Sequence, residues 1–274
     1  MRKKAMAMPD AIPQLPEFDN PPVQEIILSV EFDRVAGWKA PHCGAFWATI
    51  REEYPKTDAQ QPLPSPPTEP AVQKALQISS DPNLVRACFI NSSDTMQIQV
   101  QNDRFLTTWV RRAVDDAYPR YEKHIRPNFE RQWINFLAFV AKEGLPAPHA
   151  TRCEISYVNH LGYDWTAFQG LEAIFSPWSP KTTDGFLPKP ELVTVSARYT
   201  WPEQGQLDVA LGPAIRVADQ SKLIQLVLTA RLPVPAGADT RAVMAKFDVG
   251  REWVVRGFAD VTTGKMHSHW KRKA

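Results

Sequence analysis

Cysteine is scarce in this chain: Cys43, Cys88 and Cys153 are the only three in 274 residues, widely spaced and odd in number. A disulfide framework wants an even count in a short secreted chain, so reduced thiols in a cytosol are expected. No apolar run approaches the ~20 residues of a membrane-spanning helix. The first eight residues carry Arg2, Lys3 and Lys4 with no apolar stretch behind them, so no secretory signal is expected there. These absences predict a cytoplasmic protein without a membrane partner. Excess charge is missing too: a net charge of +2 excludes polyanion binding by bulk electrostatics. No glycine-rich turn follows a strand and no nucleophile elbow occurs, so no dinucleotide or other cofactor is expected. Thr263-Gly264-Lys265-Met266 lacks the earlier glycine and the hydroxyl residue of a phosphate-cradling loop. His267 and His269 supply two ligands where a structural zinc wants about four, so no metal is expected.

Proline, by contrast, is abundant and punctuates the chain. Pro9, Pro13, Pro16, Pro21 and Pro22 predict an extended segment over residues 1–22. Pro55–Pro70 holds six more, which remove backbone donors and exclude a helix or an interior strand, so a stiff surface loop is expected. A further helical turn is expected within residues 71–78.

Between these breaks the apolar periodicity alternates between strand and helix. Ile26, Leu28, Val30 and Phe32 recur every second residue, predicting a half-buried strand over Glu25–Phe32. A short helix over His42–Tyr54 follows, then a hairpin of Leu84–Asn91 and Met96–Phe105. Tyr121, Ile125, Phe129, Trp133, Phe136 and Val140 mark a long helix over Tyr118–Lys142. Pro127 predicts either a kink or a start near that position. The same order recurs in the second half: a strand over Arg152–Leu161, a short helix over Trp165–Phe175, and a loop over Ser176–Pro190. Strands over Leu192–Trp201, Gln206–Arg216 and Leu223–Leu232 lead to a helix over Thr240–Val261, with Val243, Phe247, Val254 and Phe258 on its inner side. The predicted fold is α+β: a curved antiparallel sheet packed on two long helices, with two fused β-α-β-β-α halves at 23–148 and 149–264. A solvated basic tail is expected over 265–274. Phe129, Trp133, Phe247 and Phe258 are expected to seal the apolar side of the sheet.

The richest polar constellation is the Gln97–Arg112 segment. Gln97, Gln99 and Gln101 share one strand face and offer paired donors and acceptors. Asp103, Arg104, Arg111 and Arg112 add charge, arginine being a fork for carboxylate or phosphate. Trp109 could stack on a base or a sugar. His160, at a strand end beside Asn159, is the most prominent histidine. The candidate binding residues are therefore Gln99, Gln101, Asp103, Arg104, Trp109, Asn159 and His160; no catalytic residue is assigned. Asp115 and Asp116 are expected to favour the N-terminal dipole of the helix behind them.

A further signal lies in the order of short pieces. Pro22-Val23-Gln24-Glu25 leads into the first strand, followed by Gln101-Asn102-Asp103-Arg104-Phe105 with Trp109. Tyr118-Pro119 with Tyr121, Phe129 and Trp133 comes next, then Tyr157-Val158-Asn159. Over Pro21–Trp270 the chain resembles a sporadically distributed family of bacterial proteins with no settled function. Patchy distribution of that kind implies genes carried on mobile elements, including defence and toxin–antitoxin cassettes. The layout resembles helix-grip and TATA-binding-protein-like scaffolds.

Three functions compete. The first is a non-enzymatic binding or regulatory module with a protein partner. The second is a nucleic-acid or nucleotide binder using Gln97–Arg112. The third is a hydrolase whose site assembles from Glu154, Asn159 and His160.

Overall fold

Period-2 and period-3.6 patterns become one sheet with all its helices on one face in the computed structural model, which describes residues 14–64, 85–113, 116–162, 171–177, 193–216 and 219–273. The first half contributes β1 (Val23–Phe32), α1 (Ala40–Ile50), β2 (Lys56–Gln60), β3 (Arg86–Ile90), β4 (Met96–Gln101), β5 (Arg104–Val110) and α2 (Arg126–Lys142). The second contributes β6 (Ala150–Gly162), β7 (Val195–Trp201), β8 (Gly205–Ile215), β9 (Lys222–Pro233), α3 (Thr240–Val261) and a short α4 (Gly264–His269). The nine strands form one antiparallel sheet in the order β2-β3-β4-β5-β1-β6-β9-β8-β7. β1 and β6, the opening strands of the halves, pair at its centre, and each has the last strand of its own half on its outer side.

Ile26, Leu28 and Val30 of β1 lie opposite Trp109, Thr107 and Phe105 of β5, and opposite Tyr157, Ile155 and Cys153 of β6. Strand alternation therefore places all nine side chains on one face. That face receives Phe129, Trp133 and Phe136 of α2 and Val243, Phe247 and Val254 of α3, every one of them buried. Phe129 and Phe247 meet edge to face with ring centroids 4.7 Å apart, joining the two helices. Gly250 lets α3 approach the sheet: a Cβ there would stand 2.7 Å from Ile155 Cγ2 and 3.0 Å from Leu232 Cδ1. Asp239 caps α3, its carboxylate accepting from the Ala242 N–H at 2.8 Å. Phe258 is buried as well, so all four expected rings face the core.

Several elements differ from the sequence expectation, each for a local reason. The expected strand over Met96–Phe105 is two strands, because Asn102 and Asp103 turn the chain between Gln101 and Arg104, which face each other across the hairpin. A strand also forms inside the expected proline loop, since Lys56–Gln60 contains no proline and sits at the sheet edge, where a flanking proline costs no ladder bond. The helix expected from Tyr118 opens as a π-helical turn over Tyr121–Ile125, and the α-helix begins at Arg126 with Pro127 in its first turn, where a missing N–H is harmless. The chain end is not a solvated tail: α4 buries Met266, and Trp270 behind it packs on Phe258 at 5.0 Å and Phe18 at 6.2 Å. Asp116 closes a local turn instead of a helix start, accepting from the Arg112 and Ala113 N–H groups at 2.8 Å each. The turn expected within 71–78 lies outside the described residues, as do Asp115, most of the 176–190 loop and residues 165–170 of the Trp165–Phe175 helix. Leu171–Ala173 of that helix forms a single 3-10 turn. Among the described residues no helix is long and apolar enough to cross a membrane.

Candidate functional site

Among the described residues, the central β1–β6 pair positions a partly open hollow whose walls mix polar and apolar groups. Val23 begins β1, and Tyr157 and Asn159 stand two residues apart on β6, so their side chains share the helix-facing side. From above, α3 lowers Arg251, Val254, Val255 and Phe258 onto them, spaced as one helical face. Tyr118 and Arg120 close one flank from the segment leading to α2, and Pro16–Phe18 roofs the hollow. The roof is pinned to the chain end. The Asp19 N–H donates to the Lys271 carbonyl at 3.2 Å and the Lys273 N–H to that of Glu17 at 2.8 Å, while Lys273 Nζ lies 2.7 Å from Asp19 Oδ1.

The cavity measures about 60 Å³, room for roughly four waters. Its polar groups converge. The Tyr118 and Tyr157 hydroxyls are 3.4 Å apart, a long contact that leaves donor capacity to spare. Burial pushes both phenols above their ordinary value, Tyr157 well above it, so both are neutral donors at neutral pH. The positive charge of Arg251 opposes that shift at both rings. Arg251 also lies over the Tyr121 ring at 5.2 Å and reaches Glu122 at 2.9 Å, but Glu122 is 59% exposed and holds it weakly. Arg251 Nε is buried without a hydrogen-bond partner. Arg120 is paired with Glu17 at 2.8 Å. Asn159, 1% exposed, donates to the Leu226 carbonyl at 3.1 Å, which fixes the orientation of its amide.

The structure distributes the seven sequence-derived candidates over three places. Asn159 lines the cavity. Trp109 stands beside it, buried and edge-on to Tyr118 at 6.2 Å, with Arg111 5.9 Å from its ring centre. Gln99, Gln101, Asp103 and Arg104 belong to the opposite side of the sheet and its β4–β5 hairpin, where Gln101 and Asp103 bond each other while Gln99 Oε1 and Arg104 Nε are buried without a hydrogen-bond partner. Gln101 Nε2 donates to Asp103 Oδ1 at 2.6 Å, and Gln101 Oε1 accepts from the Leu63 N–H at 3.0 Å. Arg104 lies 3.0 Å from Glu31, and Gln99 Nε2 reaches Gln97 and Thr108 at 3.3 and 3.4 Å. His160 also faces away from the cavity, its Nε2 3.4 Å from Gln225 Nε2. Glu154 and His160 therefore share the face opposite Asn159, and Glu154 is held by Arg231 at 2.6 Å, so the three residues of the hydrolase reading do not converge.

Sequence reasoning missed Tyr118, Tyr157 and Arg251 as a set. Tyr118 and Tyr157 stood in the pieces that carry the family resemblance, but nothing local marks Arg251, which reads as one more charge on a helix. Among the described residues no group of three or more His, Cys, Asp or Glu side chains could hold a metal ion.

Burial, and secondarily the charge of Arg216, lowers the His160 pKa below its ordinary 6.5. The unfolded chain then takes up the proton more readily than the folded one, so the stability tied to His160 is present above pH 6.5 and lost as pH falls. His267 is lowered as well, by burial and by Arg272, and acts in the same direction. Melting temperature is expected to fall from pH 7 to pH 5, less steeply in His160→Gln; an unchanged slope in thermal scans would reject the assignment.

Compared with known proteins, the chain is matched by no protein-family model and by no curated protein.

Proposed function

We propose that the chain is a non-enzymatic binding module that engages a protein partner through the cavity at the β1–β6 seam. The observation that carries this reading is the convergence of two neutral phenols, a buried amide and the Arg251 guanidinium on a hollow whose wall also holds the Arg120–Glu17 pair and apolar residues such as Phe18, Val23, Val254 and Phe258. An apolar concavity with a few fixed polar groups is the usual form of a recognition site. The groups present donate and orient; the phenols, held protonated by burial, are poor bases. At about 60 Å³ the hollow suits one projecting group of a partner, not a whole cofactor. A regulatory role in a defence or toxin–antitoxin cassette is implied by the family resemblance alone. The mirrored order of strands about β1 and β6 supports a duplicated origin, and the placing of α2 and α3 on one face supports likeness to a helix-grip scaffold.

The test is site-specific photo-crosslinking in the native cells. A benzoylphenylalanine at Pro16, on the cavity rim, is expected to capture one defined polypeptide, whereas the same group at the exposed Ile134 of α2 does not. Plugging the hollow with Val255→Phe is expected to remove most of that adduct. Equal capture from both positions, or capture that survives the plug, would reject the cavity as the recognition site.

A further inference from the structure

Resting on the binding reading above, we propose that the group the cavity accepts is a carboxylate on a short apolar stem. The lining contains two cations, Arg120 and Arg251, and one anion, Glu17. Arg120 and Glu17 pair at 2.8 Å, which leaves Arg251 as the charge with no counter-ion within the lining itself. Its one acidic neighbour, Glu122, is 59% exposed, so water screens that pair, while Arg251 Nε is buried without a partner. A guanidinium with an unused buried N–H is short of one acceptor, and a carboxylate supplies acceptors in the matching plane. The Tyr118 and Tyr157 hydroxyls add a neutral donor, because only one of their two protons is used between them.

Charge and size narrow the class. One monoanion balances the net +1 of the lining, whereas a phosphate dianion would bring an uncompensated negative charge into a mostly apolar enclosure. An ammonium would meet the like charge of Arg251. Room for about four waters admits a carboxyl group and a small branched stem, which Val254, Val23 and Phe258 would cover. Two sources carry that chemistry: the free C-terminus of a polypeptide ending in an aliphatic residue, and a free aliphatic acid.

The experiment follows the methyl resonances of Val23, Val254 and Val255 in the intact protein during titration at pH 7. The probes are isovalerate, isovaleramide and isoamylamine, with acetyl-Ala-Ala-Leu as free acid and as amide. Isovalerate or the free-acid peptide is expected to shift those methyls saturably and at least 10-fold more tightly than its amide counterpart. Tighter binding of the peptide assigns the source to a chain end, and tighter binding of isovalerate to a small acid. Arg251→Gln should weaken the better acid at least 10-fold and Arg251→Lys less. Tyr157→Phe, which removes one hydroxyl and little volume, should weaken it several-fold with the melting temperature held. Amides binding as well as acids, or Arg251→Gln binding the acid as wild type does, would overturn the carboxylate while leaving a binding cavity. Failure of every probe, charged or neutral, to move those methyls would overturn the cavity reading itself.

Discussion

Glu31→Leu is expected to destabilise the protein by about 3–5 kcal/mol, the range for breaking a buried ion pair by removing one partner. Glu31 lies on the sheet face opposite the helices, 7% exposed, with Arg104 at 3.0 Å on β5 and Arg152 at 2.6 Å on β6. Its two neighbours differ. Arg152 is 25% exposed and can turn to water, but Arg104 is 5% exposed and would be left charged and enclosed. The Arg104 contact is an ion pair without hydrogen-bond alignment: Glu31 Oε1 and Arg104 Nε both lack a hydrogen-bond partner. Most of the cost of Glu31→Leu is therefore the Arg104 charge left buried with only the Pro64 carbonyl at 3.4 Å, added to the two lost hydrogen bonds from the part-exposed Arg152. Glu31→Leu combined with Arg104→Met should recover most of the loss, since replacing a buried pair by apolar groups is often neutral. Denaturant unfolding of the two variants checks this. A double variant as unstable as the single one would place the cost elsewhere.

Phe247→Ala should cost a comparable 3–5 kcal/mol, a third or more of the stability of an ordinary domain. The ring is fully buried between the sheet and α2, and its edge-to-face contact with Phe129 at 4.7 Å joins the buried faces of the two helices. Removing it leaves a cavity at the centre of the apolar layer, where β6 and β9 below cannot collapse to fill it. The melting temperature should fall by about 10 °C. Ile134→Ala on the exposed side of α2 is the control and should stay within about 0.5 kcal/mol of wild type. A double-mutant cycle with Phe129→Ala should show a coupling near 1 kcal/mol from the ring pair. A small effect of Phe247→Ala would mean that α3 is not clamped between α2 and the sheet.

The parts of the fold that were legible beforehand are those governed by short-range periodicity. Val243, Phe247, Val254 and Phe258 specify a helix and its inner side by spacing, and α3 spans the expected Thr240–Val261. Ile26, Leu28 and Val30 do the same for β1. What was misjudged involved competing local signals. The glutamine alternation ran visually into Arg104 and Phe105, hiding a two-residue turn, and dense prolines hid the proline-free Lys56–Gln60 edge strand. Trp270 and the histidine-bearing chain end looked like a charged tail because lysine and arginine surround one buried indole.

The amino-acid order alone determined the α+β class, the ring-bearing helix faces and the side of each strand on which a residue stands, because these depend on neighbours two to four positions away. Only the tertiary structure decided which polar groups remain available for recognition. Gln99, Gln101 and Arg104 advertise hydrogen-bonding capacity in sequence, yet all three are buried on the face away from the hollow, with Gln101 bonded to the Leu63 backbone and Arg104 beside Glu31. Tyr118, Asn159 and Arg251 line one hollow because β1 and β6 pair at the sheet centre and α3 crosses above them. Whether a polar side chain is spent or available is a property of the partners brought to it from distant parts of the chain, and no local pattern encodes that.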